Sequence, residues 1–110
     1  MCGIVGIVGE ENRDLIQKMC DVIKHRGPDD SGFYIDKDLS LGMRRLSIID
    51  VAGGKQPIHN EDETVWVIYN GEIYNYLELK DDLDKKGHKF YTKCDTEIFV
   101  HAYEEYGDLF

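Results

Sequence analysis

The chain has 110 residues, 42% apolar and 32% charged, with 22 acidic against 13 basic side chains and a formal net charge of −9. This length and mix suit one globular domain and exclude a disordered or fibrous chain. The acidic excess repels a phosphate backbone, and no apolar run approaches the roughly 20 residues of a membrane helix, so neither a nucleic-acid nor a membrane partner is expected.

The chain opens with no basic-then-apolar leader, which points to the cytoplasm. Its three cysteines, at positions 2, 20 and 94, are an odd number without Cys-x-x-Cys or His-x3-His spacing. Neither a disulfide framework nor a metal site is expected.

Residues 3–8 form a short apolar run punctuated by glycines, which fits a strand buried on both faces. Leu15, Met19, Val22 and Ile23 then fall on a helical period, with Asn12 or Asp14 as N-cap, predicting an amphipathic helix over 13–24. Residues 25–32, His-Arg-Gly-Pro-Asp-Asp-Ser-Gly, are turn chemistry. Strands are expected over 33–36 and 39–49, joined by Asp36-Lys37-Asp38, and a flexible loop over 52–57. Thr64 to Tyr69 is rich in β-branched and aromatic residues and reads as a strand. Asn75 and Glu78 have capping-box spacing for a helix over 76–86, closed by Gly87. Phe90 and Tyr91 suggest a short strand. A last helix over 96–106 presents Phe99, Ala102, Tyr103 and Tyr106 and stops at Gly107. The order implies an α+β domain with antiparallel pairing. The apolar end, Asp108-Leu109-Phe110, suggests part of something longer.

Four places can carry chemistry. Removal of Met1 would give Cys2 both a thiol and a free α-amine, whose pKa of about 7.7–8.0 lets it act as the thiol's base; a small residue opening a buried strand is the competing reading. Asn70-Gly71 suits a hairpin turn, or else an oxyanion hole built from a side-chain amide and an approachable backbone N–H. Arg44 and Arg45, adjacent on a strand, must face opposite sides, so one is expected in solvent and the other at an interface or pocket, where a guanidinium grips a carboxylate. Asp95 is either a helix N-cap or a carboxylate for a substrate ammonium. His25, His59, His88 and His101 show no partner pattern and read as surface or packing residues, and neither Cys20 nor Cys94 outranks Cys2 as nucleophile.

Cys2-Gly3-Ile4-Val5-Gly6, His25-Arg26-Gly27-Pro28-Asp29-x-Ser31-Gly32, Arg45-Leu46-Ser47-Ile48-Ile49-Asp50, Asn70-Gly71-Glu72-Ile73-Tyr74-Asn75 and Asp95-Thr96-Glu97, taken in order, resemble the glutaminase domain of glutamine-dependent asparagine synthetases. These are N-terminal nucleophile (class II) glutamine amidotransferases. The resemblance implies an α+β fold of αββα type, two antiparallel sheets face to face with helices outside. It implies that residues 1–110 are the first portion of that domain, so that the sandwich is incomplete here and its strand edges are open to another copy.

The same resemblance assigns roles. Cys2 is the nucleophile, Asn70 and Gly71 form the oxyanion hole, Arg45 binds the glutamine carboxylate, Asp95 binds its ammonium, and the backbone of Ile48, Ile49 and Glu72 lines the pocket. Glutamine would be hydrolysed through a cysteinyl thioester and its ammonia passed to a synthetase domain. No cofactor is implied for this domain, ATP and Mg belonging to the synthetase partner. The other readings are a non-catalytic binding module and a different class II enzyme such as glucosamine 6-phosphate synthase; the wording of residues 26–29 and 72–76 favours the asparagine synthetase type.

Overall fold

A computed structural model describes residues 2–46 and 54–110; Ile48 and Ile49 lie outside the described residues. Strands β1 (Gly3–Val8), β2 (Asp30–Asp36) and β3 (Leu39–Arg45) form an antiparallel sheet in the order β1-β3-β2. In β3, Arg44 pairs with Gly3 of β1, and Arg45 pairs with Asp30 of β2. The start of β2 corrects the expectation of a turn through residue 32. Pairing of Asp30, Ser31 and Gly32 with Arg45, Arg44 and Met43 overrides their turn propensity.

Helix α1 (Arg13–Val22) begins where expected, the Asn12 side chain accepting a 3.0 Å bond from the Leu15 N–H. Its buried face differs from the predicted one. Ile16 and Cys20 are fully buried, with Met19 and Ile23 half-buried beside them, while Leu15 and Val22 face solvent. The reason lies in the sheet: a Cβ at Gly42 would come within 2.5 Å of Cys20 Sγ and 3.2 Å of Ile16 Cγ1. The bare backbone of β3 is the seat for this helix.

A second sheet is smaller, β4 (Ile58–His59) pairing antiparallel with β5 (Trp66–Val67). The strand expected over 64–69 shortens because side chains intercept its backbone. Asn60 Oδ1 accepts from the N–H groups of Thr64 and Val65 at 2.9 and 3.0 Å, and Gln56 Oε1 accepts from Tyr69 N–H at 2.7 Å. β4 itself was not expected.

Helices α2 (Tyr76–Lys85) and α3 (Glu97–Tyr106) pack together, and α3 also packs on β4 and β5. The Asn75 side chain makes no cap bond, contrary to the capping-box expectation, while Gly87 at φ +95° ends the helix as expected. Phe90 and Tyr91 form no strand, because the N–H groups of Tyr91 and Thr92 donate to the Glu97 carboxylate at 2.9 and 2.8 Å. The buried side of α3 is Glu97, Ile98, Val100, His101 and Ala102, and Tyr103 and Tyr106 of the predicted face remain exposed. Leu83, Ile98 and Ala102 form the core between these helices, with Ile73, Tyr76, Leu79 and Phe90 packed against it. Among the described residues no helix is long and apolar enough to cross a membrane.

Candidate active site

The β1–β3 register builds the first wall of the site. Opposed residues in an antiparallel pair point to the same face. One step beyond the Gly3–Arg44 pair, this places Cys2 across from Arg45, and both line one pocket. Cys2 is half-buried, and its Sγ lies 3.5 Å from the Leu46 N–H that donates toward it. Its carbonyl accepts from Arg26 Nε at 3.3 Å, which ties the first residues to the turn after α1.

Arg44 and Arg45 do face opposite sides, but neither is in solvent: they are 8% and 6% exposed. The expected solvated arginine is covered by the 25–29 turn. Arg44 Nε donates to the Gly27 carbonyl at 2.9 Å and Nη2 to the Pro28 carbonyl at 3.4 Å. Gly27 is pressed against β3 so closely that a Cβ there would stand 2.4 Å from the Arg44 carbonyl carbon and 2.5 Å from Arg45 N. Asp29 N–H adds a bond to the Arg45 carbonyl at 3.1 Å. The turn therefore backs the strand that carries Arg45.

Residues 70–75 lead from β5 into α2 without a returning strand, so Asn70-Gly71 is not a two-residue hairpin turn. Both residues are exposed at the pocket wall. Tyr69 folds its ring over Gly71, leaving only 2.5 Å between the phenol oxygen and a hypothetical Cβ. The loop is anchored from the far side by Asp95, whose Oδ2 accepts from Ile73 N–H at 2.7 Å. Asp95 is thus not the N-cap of α3, a position held by Thr96.

Together these segments enclose about 380 Å³ lined by Cys2, Arg45, Asn70, Gly71, Glu72 and Asp95 among others. The pocket holds a thiol, a cation, an anion and an amide, and is large enough for a small amino acid. Among the described residues, sequence reasoning missed six further ones that line the pocket: Leu46, Gln56, Tyr69, Tyr74, Cys94 and Thr96. Gln56 joins two of the walls, accepting from Tyr69 N–H at 2.7 Å and donating to Thr96 Oγ1 at 3.4 Å. Only its place beside Pro57 marked it, and that signal reads as loop. A second cavity, about 440 Å³, is mostly apolar and lies among α2, α3 and the C-terminal residues, and no thiol is among the described residues that line it.

The other two thiols stay quiet. Burial pushes both the Cys20 and the Cys94 thiol above the ordinary value, so the nucleophilic thiolate is scarce at either. Beneath the Asp95 wall, Glu97 has no exposure. Burial pushes its carboxyl up, yet hydrogen bonds from His101, Thr92 and the backbone of Tyr91 and Thr92 outweigh that and hold it below the usual range.

A family model described as a glutamine amidotransferase domain matches residues 1–110. The chain is 47% identical to asparagine synthetase [glutamine-hydrolyzing] 1 of Bacillus subtilis, over 96% of this chain and 18% of that protein. It is 45% identical to asparagine synthetase [glutamine-hydrolyzing] 2 of Oryza sativa, over 100% of this chain and 19% of that protein. A second Bacillus subtilis relative, asparagine synthetase [glutamine-hydrolyzing] 2, is 45% identical over 97% of this chain and 15% of its own length. The chain therefore spans less than a fifth of the length of these curated relatives. With a match across all its residues, the chain belongs to the glutamine amidotransferase domain family.

Proposed function

We propose that this chain carries the glutamine-hydrolysing half-reaction of an asparagine synthetase, releasing ammonia through a cysteinyl thioester. The observation that supports it most is one pocket lined by Cys2, Arg45, Asn70, Gly71 and Asp95, contributed by widely separated segments. Glutamine offers a carboxylate for Arg45, an ammonium for Asp95 and a side-chain amide for Cys2. Loss of Met1 frees the Cys2 α-amine, which takes the thiol proton. The thiolate then attacks the amide carbon, forming a C–S bond, and Asn70 Nδ2 and Gly71 N–H donate to the developing oxyanion. Collapse breaks the C–N bond, the α-ammonium returns its proton to the leaving ammonia, and water hydrolyses the thioester to glutamate and free thiol.

In this reading Ile48, Ile49 and Glu72 contribute backbone to the pocket, and the fold is the N-terminal nucleophile sandwich, of which the two antiparallel sheets are a part. The names of the relatives support asparagine as the eventual product. ATP and Mg would serve a synthetase domain that receives the ammonia, and the glutamine chemistry itself would need no cofactor. β1 and β2 are the outer strands of the larger sheet, so a second copy could pair there, which sedimentation over a range of concentrations tests.

Intact mass with an electrophilic glutamine analogue decides the central claim. A chain lacking Met1 should gain one label, at Cys2, and none after Cys2→Ala. A folded, demethionylated sample that takes no label overturns the reading.

A further inference from the structure

His101 has no solvent exposure, and its two ring nitrogens have unlike surroundings. Nε2 lies 3.1 Å from Oε1 of Glu97, a carboxylate that is itself fully buried. Among the described residues Nδ1 has no hydrogen-bond partner, although Glu61 Oε1 is 3.3 Å away and Glu104 Oε1 3.9 Å. His88 repeats the arrangement, with Nε2 held by Glu105 Oε2 at 2.7 Å and Nδ1 facing the same Glu61 oxygen at 3.8 Å.

A carboxylate that accepts from Nε2–H fixes the tautomer and leaves the lone pair on Nδ1. Two such imidazoles turn their Nδ1 atoms toward Glu61. With Glu104 they give four donor atoms, all within 4.8 Å of one another. Metal–ligand distances of about 2.0–2.1 Å imply tetrahedral edges of about 3.4 Å. Three of the six separations are 3.3, 3.8 and 3.9 Å, and none exceeds 4.8 Å, so an ion would draw the four groups together by up to about 1.4 Å.

The competing account is a packing network in which buried histidines simply satisfy acids. It gives His101 Nδ1 an acid at 3.3 Å but no hydrogen bond to it, and a buried polar atom without a hydrogen bond costs about 1–3 kcal/mol.

We propose that Glu61, His88, His101 and Glu104 bind a divalent transition cation of the zinc type. Mixed imidazole and carboxylate donors favour such an ion over calcium or magnesium, which take oxygen shells. Glu61 precedes β5, His88 follows α2, and His101 and Glu104 belong to α3, so the ion would cross-link three segments. Glu97 and Glu105 would be its outer carboxylates. This site is independent of the glutaminase reading, since none of its ligands lines the Cys2 pocket.

Cobalt is the probe. The full chain, stripped with chelator, should bind one equivalent of Co²⁺ with the visible absorption of a four-coordinate site and no thiolate-to-cobalt charge-transfer band. Glu104→Gln and His88→Ala, each checked for folding by circular dichroism, should weaken binding at least 10-fold, and Glu105→Gln by about 10–100-fold. His101 is too buried to carry the test alone, so the exposed Glu104 keeps it decisive even where a histidine variant does not fold. Absence of saturable binding at millimolar Co²⁺, a thiolate band, or unchanged affinity in a folded Glu104→Gln overturns the proposal.

Discussion

The Asp95 carboxylate accepts a 2.7 Å hydrogen bond from the Ile73 N–H, 22 residues earlier in the chain. One oxygen of the group proposed to hold the substrate ammonium is thereby also the anchor of the loop that carries Asn70 and Gly71. An ionised carboxylate has about four acceptor sites, so both tasks fit on one side chain.

The two tasks separate by substitution. Asp95→Asn keeps an oxygen for Ile73 N–H but removes the charge, so the apparent KM for glutamine should rise at least ~10-fold with Tm nearly unchanged. Asp95→Ala removes both and should also lower stability by about 1–2 kcal/mol. Steady-state kinetics with thermal melts checks this; equal Tm losses in the two variants would show that the side chain acts only as an anchor.

Asn70→Ala should lower kcat for glutamine hydrolysis by about 10²–10³ while leaving glutamine binding within a few-fold, because the oxyanion exists only along the reaction path. Arg45→Ala should do the reverse, raising KM by about 10–100-fold for the lost charge-assisted bonds to the carboxylate. Binding of glutamine to Cys2→Ser versions of each variant, measured by calorimetry, separates affinity from turnover. An Asn70→Ala that loses both in equal measure is a structural change.

Alkylation at neutral pH should find Cys2 first. Its two competitors have thiols raised by burial, and Cys20 is fully enclosed between α1 and Gly42 of the sheet. Peptide mapping after limiting iodoacetamide should recover the adduct at Cys2 at least ~10-fold over Cys20 or Cys94. Labelling led by Cys94 contradicts the assignment of the nucleophile.

What could be read in advance follows the range of the interactions. The positions of β1, α1 with its Asn12 cap, α2, α3 and their glycine stops depend on local chemistry and were legible, as were Cys2, Arg45, Asn70, Gly71 and Asp95 as candidates; the expected burial of β1 on both faces was not met, since Ile4 and Val8 are exposed. What failed was decided at long range. Gly42 shifts the buried stripe of α1 to Ile16 and Cys20. Glu97 takes the Tyr91 and Thr92 N–H groups that a strand would have used. Gln56 enters the site because it reaches Tyr69 and Thr96, 13 and 40 residues away. His88 and His101 are 13 residues apart in sequence, a spacing that belongs to no metal motif, and only the packing of α3 brings them to Glu61.

The 25–29 turn supplies a last test, because it touches no substrate and yet supports a residue that should. Gly27 lies against the backbone of Arg44 and Arg45, so an alanine methyl would need that strand to move away from contacts of 2.4 and 2.5 Å. The contacting atoms are the backbone of Arg44 and Arg45, so no flexible side-chain end can yield. Gly27→Ala should therefore cost about 1–3 kcal/mol of stability and displace Arg45 from the pocket. The displacement predicts a KM rise in the direction of Arg45→Ala, and the double variant should be little worse in KM than Arg45→Ala alone. Additive effects on KM would mean that the turn influences the site by a route other than Arg45.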